Sequence, residues 1–175
     1  RDAVTAVFGA PGEPVFDLSG SDFVVDFGSD FLESGPSPTE HARQLAAAPD
    51  ISKPEARASR FVYVGPRLSM TASNADEWIA ARPGSEALVA LALAKVALGA
   101  NPGPLAGLVA DLDLAAVAKQ ADVSVATLER VGKALGAAKS PVLIPPGVAL
   151  ASRRAASTAR TVLLANVALG ALGKT

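Results

Sequence analysis

Three short runs of strand-forming residues, each halted by glycine or proline and each separated from the next by helix-patterned sequence, constrain this chain more than any other feature. They are Asp22-Phe-Val-Val-Asp-Phe27 before Gly28, Phe61-Val-Tyr-Val64 before Gly65-Pro66, and Pro141-Val-Leu-Ile144 before Pro145-Pro146-Gly147. Apolar runs of this length, rich in Val and aromatic residues and ended by turn residues, read as buried strands. Strands that alternate with helices pack as a parallel sheet with helices on both faces, joined by right-handed crossovers. The expected fold is therefore α/β: a three-layer Rossmann-like domain with a mostly parallel sheet, in the order β–α–β–α–α–α–β–α. In such a sheet all three strands end at one edge, with Gly28-Ser29-Asp30, Gly65-Pro66-Arg67 and Pro145-Pro146-Gly147 side by side. A ligand belongs at that edge.

The helices have their own signals. Ser37-Pro-Thr-Glu40 is a capping box with proline at the first helical position, opening a helix that stops at Pro49. Ser85 is placed to cap a helix over Glu86–Leu98, with Gly99 and Pro102 beyond it. Leu112–Gln120 reads as a short amphipathic helix. Ser124 starts another, with Val123 and Leu128 spaced as a hydrophobic staple. The last helix is expected over Ala155–Leu172, apolar almost all round. A short strand is expected near Val15–Leu18, and residues 49–60 read as a polar loop. At 175 residues the prior is one domain. Half the residues are hydrophobic but only 5% aromatic, so Ala, Val and Leu must fill the core and the elements must approach closely.

Several function classes fall away. No cysteine is present, which excludes a disulfide framework, a thiolate zinc site and a cysteine-ligated iron–sulfur cluster within this chain. One His and one Met leave little for transition-metal ligation. The longest apolar runs, about 12 residues, fall short of the ~20 that cross a bilayer, so no direct membrane span is expected. Residues 1–55 carry ten acidic and three basic side chains, and the remainder seven and thirteen. This uneven charge lacks the dense basic stripe with interleaved aromatics that would mark a nucleic-acid partner.

Individual motifs weigh unequally. Gly170-Ala-Leu-Gly-Lys-Thr175 mimics a phosphate loop, but Ala168 stands where the first glycine is needed and the segment follows a helix instead of preceding one. No strand is followed by a full Gly-x-Gly-x-x-Gly. His41 has no Ser or Cys spaced to partner it. Asp76 and Glu77 are adjacent, diverge in direction and form no acid/base pair by spacing. Trp78 reads as an anchor packing its loop onto the sheet. Arg67 and Arg82 flank that loop. Their guanidinium forks suit phosphate or carboxylate, or else bond loop carbonyls.

Arg60-Phe-Val-Tyr-Val-Gly-Pro-Arg67, Thr71-Ala72, Ala75-Asp76 and Arg82-Pro-Gly-Ser-Glu86, followed by an Ala/Leu helix, resemble the molybdopterin oxidoreductase family (the dimethyl sulfoxide reductase superfamily). Its usual pattern is a strand, Asp-Pro-Arg, Thr-Ala, Ala-Asp and Arg-Pro-Gly-Thr-Asp. Phe23–Phe31, Val117–Ser140 and Asn166–Thr175 fit in order, so the likeness covers roughly residues 14–175. Asp-Phe-Gly-Ser-Asp-Phe-Leu-Glu and Ala-Asp-Glu-Trp are similar to the fused iron–sulfur/molybdopterin-like subunit of alternative complex III, whose molybdopterin-like domain is thought to hold no molybdenum cofactor.

The resemblance implies a non-catalytic scaffold in a respiratory electron-transfer complex, with no cofactor in this chain. The alternative it implies is the cofactor-holding domain of a true oxidoreductase. Asp30, Gly65, Arg67, Ser69 and Glu86 would then line a cleft for molybdopterin guanine dinucleotide. Two departures bear on the choice: Gly65 stands where cofactor-binding relatives carry Asp, and Glu86 where they carry a shorter Asp. The molybdenum ligand lies in a part of the family's chain not found here, so no complete active site is expected. The chain opens on Arg-Asp-Ala-Val without Met and closes on Leu-Gly-Lys-Thr directly after a helical pattern, so an internal segment, residues 1–175, of a larger protein is expected. The resemblance implies as partners the rest of that polypeptide and other subunits of a membrane-associated redox complex, on the extracytoplasmic face of a bacterial inner membrane. A third reading, an unrelated nucleotide-binding domain, lacks a fingerprint.

Overall fold

The computed structural model describes residues 2–46, 59–147 and 155–173. Most of the expected 49–60 loop lies outside them, as do Lys174 and Thr175. The elements run α1 (Asp2–Phe8), β1 (Phe23–Asp26), α2 (Pro38–Ala46), β2 (Arg60–Val64), α3 (Met70–Ser73), β3 (Glu77–Ile79) and α4 (Glu86–Leu98). A 3-10 turn (Gly103–Leu105) leads to α5 (Ala106–Val109), α6 (Leu114–Ala121), α7 (Val125–Ala137), β4 (Pro141–Ile144) and α8 (Ala155–Ala168). The four strands pair in the order β3-β2-β1-β4, all parallel.

Side chains alternate across the sheet and define its two faces. Phe23, Val25, Phe27, Val62, Val64 and Leu143 point into the larger core, formed with Val89 and Leu93 of α4, Val117 of α6, Leu128, Val131 and Leu135 of α7, and Val162 of α8. Val24, Phe61, Val142 and Ile144 face the other way, onto Leu18, Phe31 and Leu45 of α2. The expected three layers are present.

The close approach demanded by an aromatic-poor core is met at α4 and α7. A Cβ built on Gly132 would stand 2.6 Å from Val96 Cβ, and one on Gly136 2.5 Å from the Ala97 carbonyl oxygen. Two glycines four residues apart share one helix face, and here they let the backbones meet. Beside β4, the buried Asn166 of α8 accepts from the Leu143 N–H at 2.9 Å and donates to the Leu143 carbonyl at 2.7 Å. Its amide imitates a neighbouring strand along the sheet edge.

The structure corrects the sequence expectations in several places. Val15–Leu18 forms no strand, and the Leu18 N–H donates to the Gln44 side chain instead. Ser85 does not cap α4 with its side chain: its hydroxyl donates to the Arg82 carbonyl, and Glu86 turns back to accept from the Gly84 N–H. The last helix ends at Ala168, short of Leu172. α1, α3 and β3 were not foreseen. Ser124 does cap α7, its hydroxyl accepting from the Thr127 N–H.

Candidate functional site

At the carboxyl edge of the sheet, the loops that follow β1 and β2 lie against each other. Gly28 adopts φ +73° and Asp30 φ +53°. The left-handed region suits glycine, and aspartate tolerates it better than most residues. This turn aims the Asp30 side chain toward β2, while its carbonyl accepts from the Glu33 and Ser34 N–H groups. The Asp30 carboxylate is buried. Its Oδ1 accepts from the Tyr63 hydroxyl at 3.0 Å and its Oδ2 from Arg67 at 2.5 Å. Arg67 keeps 63% of its side chain exposed, and the Asp30 hydrogen bond raises its pKa above the usual guanidinium value.

Tyr63 is the hub. Burial raises its phenol pKa, and Ser69 and Asp30 both act on its hydroxyl. Ser69 also caps α3, accepting from the Ala72 N–H at 3.1 Å. Two of the five residues singled out from the sequence, Asp30 and Ser69, therefore converge on a tyrosine that reads in the sequence as an ordinary strand residue, and a third, Arg67, joins them through Asp30.

Gly65 belongs to the same cluster for a steric reason. A Cβ there would lie 2.9 Å from Tyr63 Cε1 and 3.2 Å from its hydroxyl oxygen, closer than real Cβ contacts run. The tyrosine ring fills the space that a side chain at 65 would take. Trp78, half-exposed on β3, donates its indole N–H to the Gly65 carbonyl at 2.8 Å. It anchors this turn through a hydrogen bond more than through packing.

Further bonds join the two loops. The Leu32 N–H donates to Thr71 Oγ1 at 3.2 Å, and Glu33 Oε1 accepts from the Met70 N–H at 2.6 Å and the Thr71 N–H at 3.3 Å. Glu86, the fifth residue, is buried at the start of α4, bonded to its own turn at Gly84. Arg82 pairs with Asp122 at 3.7 Å on the surface. Asp76 accepts from the Phe61 N–H, whereas Glu77 bridges Arg60 and Arg130. The two acids thus serve separate structural ends.

Asp26, the last residue of β1, is fully buried. Its Oδ1 accepts from the Ser29 N–H at 2.9 Å, and its Oδ2 has no partner among the described residues. Burial pushes its pKa up to about 7, against a smaller lowering by the nearby Ser29 and with a further rise from Asp30. The Ser29 hydroxyl lies close enough to influence Asp26 without completing a hydrogen bond of good geometry. Asp30 is thus paired with Arg67, while burial drives Asp26 toward its neutral form. The signal for Asp26 in the sequence is an acid inside an otherwise apolar strand. Among the described residues no group of three or more His, Asp or Glu side chains is placed to hold a metal ion.

No family model matches the chain. It is 33% identical over 146 residues to the menaquinone reductase molybdopterin-binding-like subunit of Nitratidesulfovibrio vulgaris, covering 79% of this chain and 21% of that protein. It is 26% identical over 182 aligned positions to the thiosulfate reductase molybdopterin-containing subunit PhsA of Salmonella typhimurium, covering 96% of this chain and 23% of that one. A third relative is the arsenate respiratory reductase molybdopterin-containing subunit ArrA of a Shewanella species, 32% identical over 83 residues, or 47% of this chain and 9% of the relative. The chain thus spans about a fifth of the length of the first two relatives. In three dimensions it superposes on acetylene hydratase from Pelobacter acetylenicus with a TM-score of 0.75 at 15% identity, over 98% of this chain and 24% of that enzyme.

Proposed function

The chain is a domain of the molybdopterin oxidoreductase family, of the kind found in respiratory reductase subunits, and from that premise we propose that it is a non-catalytic scaffold that holds no molybdenum cofactor. The observation that carries this reading is the closure of the cleft by its own residues. Both Asp30 oxygens are engaged by Tyr63 and Arg67, and Leu32 and Glu33 bond the facing loop. At position 65 the Tyr63 ring takes the room an acidic side chain would need to reach a ribose. These residues do not fit a guanine dinucleotide, whose hydroxyls and phosphates need free acceptors and donors at the strand ends.

In this role the domain contributes a folded surface to a larger polypeptide. Its partners are the rest of that chain and neighbouring subunits of a membrane-associated redox complex. Among the described residues no helix is long and apolar enough to cross a membrane.

A second reading, in which the domain grips molybdopterin guanine dinucleotide through Asp30, Arg67, Ser69 and Glu86, draws support from the exposed part of Arg67. Its guanidinium retains donors beyond those given to Asp30. Metal analysis and pterin fluorescence of the full-length protein separate the two. The scaffold reading expects neither molybdenum nor pterin, and stoichiometric molybdenum overturns it. A ligand at 100 times its dissociation constant adds about 2.7 kcal/mol to stability. The scaffold reading therefore also expects no rise in melting temperature with GDP.

A further inference from the structure

We propose that residues 27–34, the turn that closes over the end of β1, act as a pH-operated clasp: ionisation of Asp26 beneath the turn opens it and releases Asp30 from Tyr63 and Arg67. The inference stands on how the turn is built and does not depend on whether the domain holds a cofactor. Asp26 has no exposed surface. The Ser29 N–H donates to its Oδ1 at 2.9 Å, whereas Oδ2 is sealed from solvent with no hydrogen-bond partner among the described residues. An ionised carboxylate in that position lacks the donors that would replace its lost water.

The surrounding elements do little to hold that charge. Within the turn, Asp30 places a second acid close by and opposes ionisation of Asp26. On β2 the register partner of Asp26 is Tyr63, whose hydroxyl is given to Asp30. Arg67, beyond it, is bonded to Asp30 and also feels Glu33. On β4 the register partner is Ile144, followed by Pro145, Pro146 and Gly147, none of which titrates. From α2 comes His41, its ring turned edge-on to Phe31 at 5.5 Å between centroids. The guanidinium of the cluster therefore serves Asp30 and not Asp26.

The turn is also built to move as a unit. It carries two left-handed positions, Gly28 and Asp30, and the second is a conformation that residues other than glycine seldom adopt. Past Phe27, whose N–H still bonds the Ile144 carbonyl of β4, its bonds to the facing loop each involve a side chain. Asp30 meets Tyr63 and Arg67, the Leu32 N–H meets Thr71, and Glu33 meets the Met70 and Thr71 N–H groups. Opening hydrates Asp26 and returns its pKa from about 7, where burial chiefly holds it, to the ordinary 3.8. Between those limits opening releases a proton. The opening constant therefore rises about tenfold per pH unit, roughly a thousandfold in all, and levels off above pH 7.

The test is hydrogen exchange of the full-length protein, read by mass spectrometry from about pH 4.5 to 8 and corrected for the intrinsic exchange rate. Peptides covering residues 27–34 and 67–73 should lose protection together, close to tenfold per pH unit up to about pH 6.5. They should exchange ahead of peptides from β1 and β2, because the opening is local. Asp26→Asn should flatten the pH dependence in both loop peptides. Protection of residues 27–34 that stays constant with pH in the unaltered protein overturns the proposal. So does exchange of the two loops only in step with the strands, which would mean that the whole domain unfolds. An equal slope in Asp26→Asn overturns it too. The first two outcomes are read on the unaltered protein and decide the matter even where the variant fails to fold.

Discussion

Replacing Asp26 with Asn should remove a pH-dependent weakness from the sheet. Asp26 ends β1 opposite Tyr63 of β2 and Ile144 of β4, with no exposed surface. Its pKa moves from an ordinary 3.8 to about 7 in the folded chain, chiefly through burial. The folded state therefore holds a proton that the unfolded state releases. Stability from this group is complete below pH 4 and is lost as the pH rises toward 7. A displacement of about three pH units, at 1.36 kcal/mol each, makes the loss about 4 kcal/mol. Asn keeps the Oδ1 acceptor for the Ser29 N–H, and its NH2 gives the unpaired Ser29 hydroxyl a donor. Urea unfolding of both proteins from pH 4.5 to 8 isolates the effect, because other titrating groups cancel in the difference. Asp26→Asn should gain on the parent steadily with pH, reaching a midpoint advantage of about 2 M urea at a slope near 2 kcal/mol/M. Parallel stability curves for the two proteins would refute the argument, since they would mean that Asp26 ionises in the folded chain as readily as in the unfolded one.

Gly136→Ala should lower the melting temperature even though Ala favours helix by about 1 kcal/mol, because the new methyl meets the Ala97 backbone, which cannot yield. Overpacking of this kind costs about 1–3 kcal/mol. Gly132→Ala meets the Val96 side chain instead, and adding Val96→Ala should restore much of its loss. Tyr63→Phe should cost about 1 kcal/mol in unfolding free energy, the worth of the hydrogen bond to Asp30. Asn166→Ala should cost at least 2 kcal/mol and speed hydrogen exchange at the Leu143 amide, which loses its acceptor.

Much of the fold is legible in the sequence because local pattern and tertiary packing agree there. β1, β2 and β4 are apolar runs that the sheet buries, α4 spans the expected Glu86–Leu98, and α7 begins at its Ser124 cap. β3 is not legible. Glu77-Trp-Ile79 has three residues and no alternation, and it is extended because β2 pairs with it. α1 has Gly and Pro close behind it and is held by Ala3 and Val4 against Leu163 of α8, a contact with no local trace.

At the site, Asp30, Arg67 and Ser69 stand out as polar residues at strand ends. Tyr63 does not, since an aromatic residue in a strand is the expected occupant of a core. Its reach past Gly65 to Asp30 depends on two strands lying side by side, which no spacing along the chain encodes. Asp26 is visible as an acid in an apolar run, but its missing partner is a property of the packed structure alone.

The amide of Asn166 limits how this molecule can be joined to a neighbour along β4. A sheet grows when an incoming strand finds a row of free N–H and C=O groups along an edge. On the β4 side a side chain from α8 already occupies both groups of Leu143. On the other side β3 offers three residues, with Glu77 tied by Arg60 and Arg130. Among the described residues the β4 margin is therefore closed to an added strand at Leu143. A neighbour on that side must meet the chain through side chains of α8 and not through backbone hydrogen bonds to Leu143.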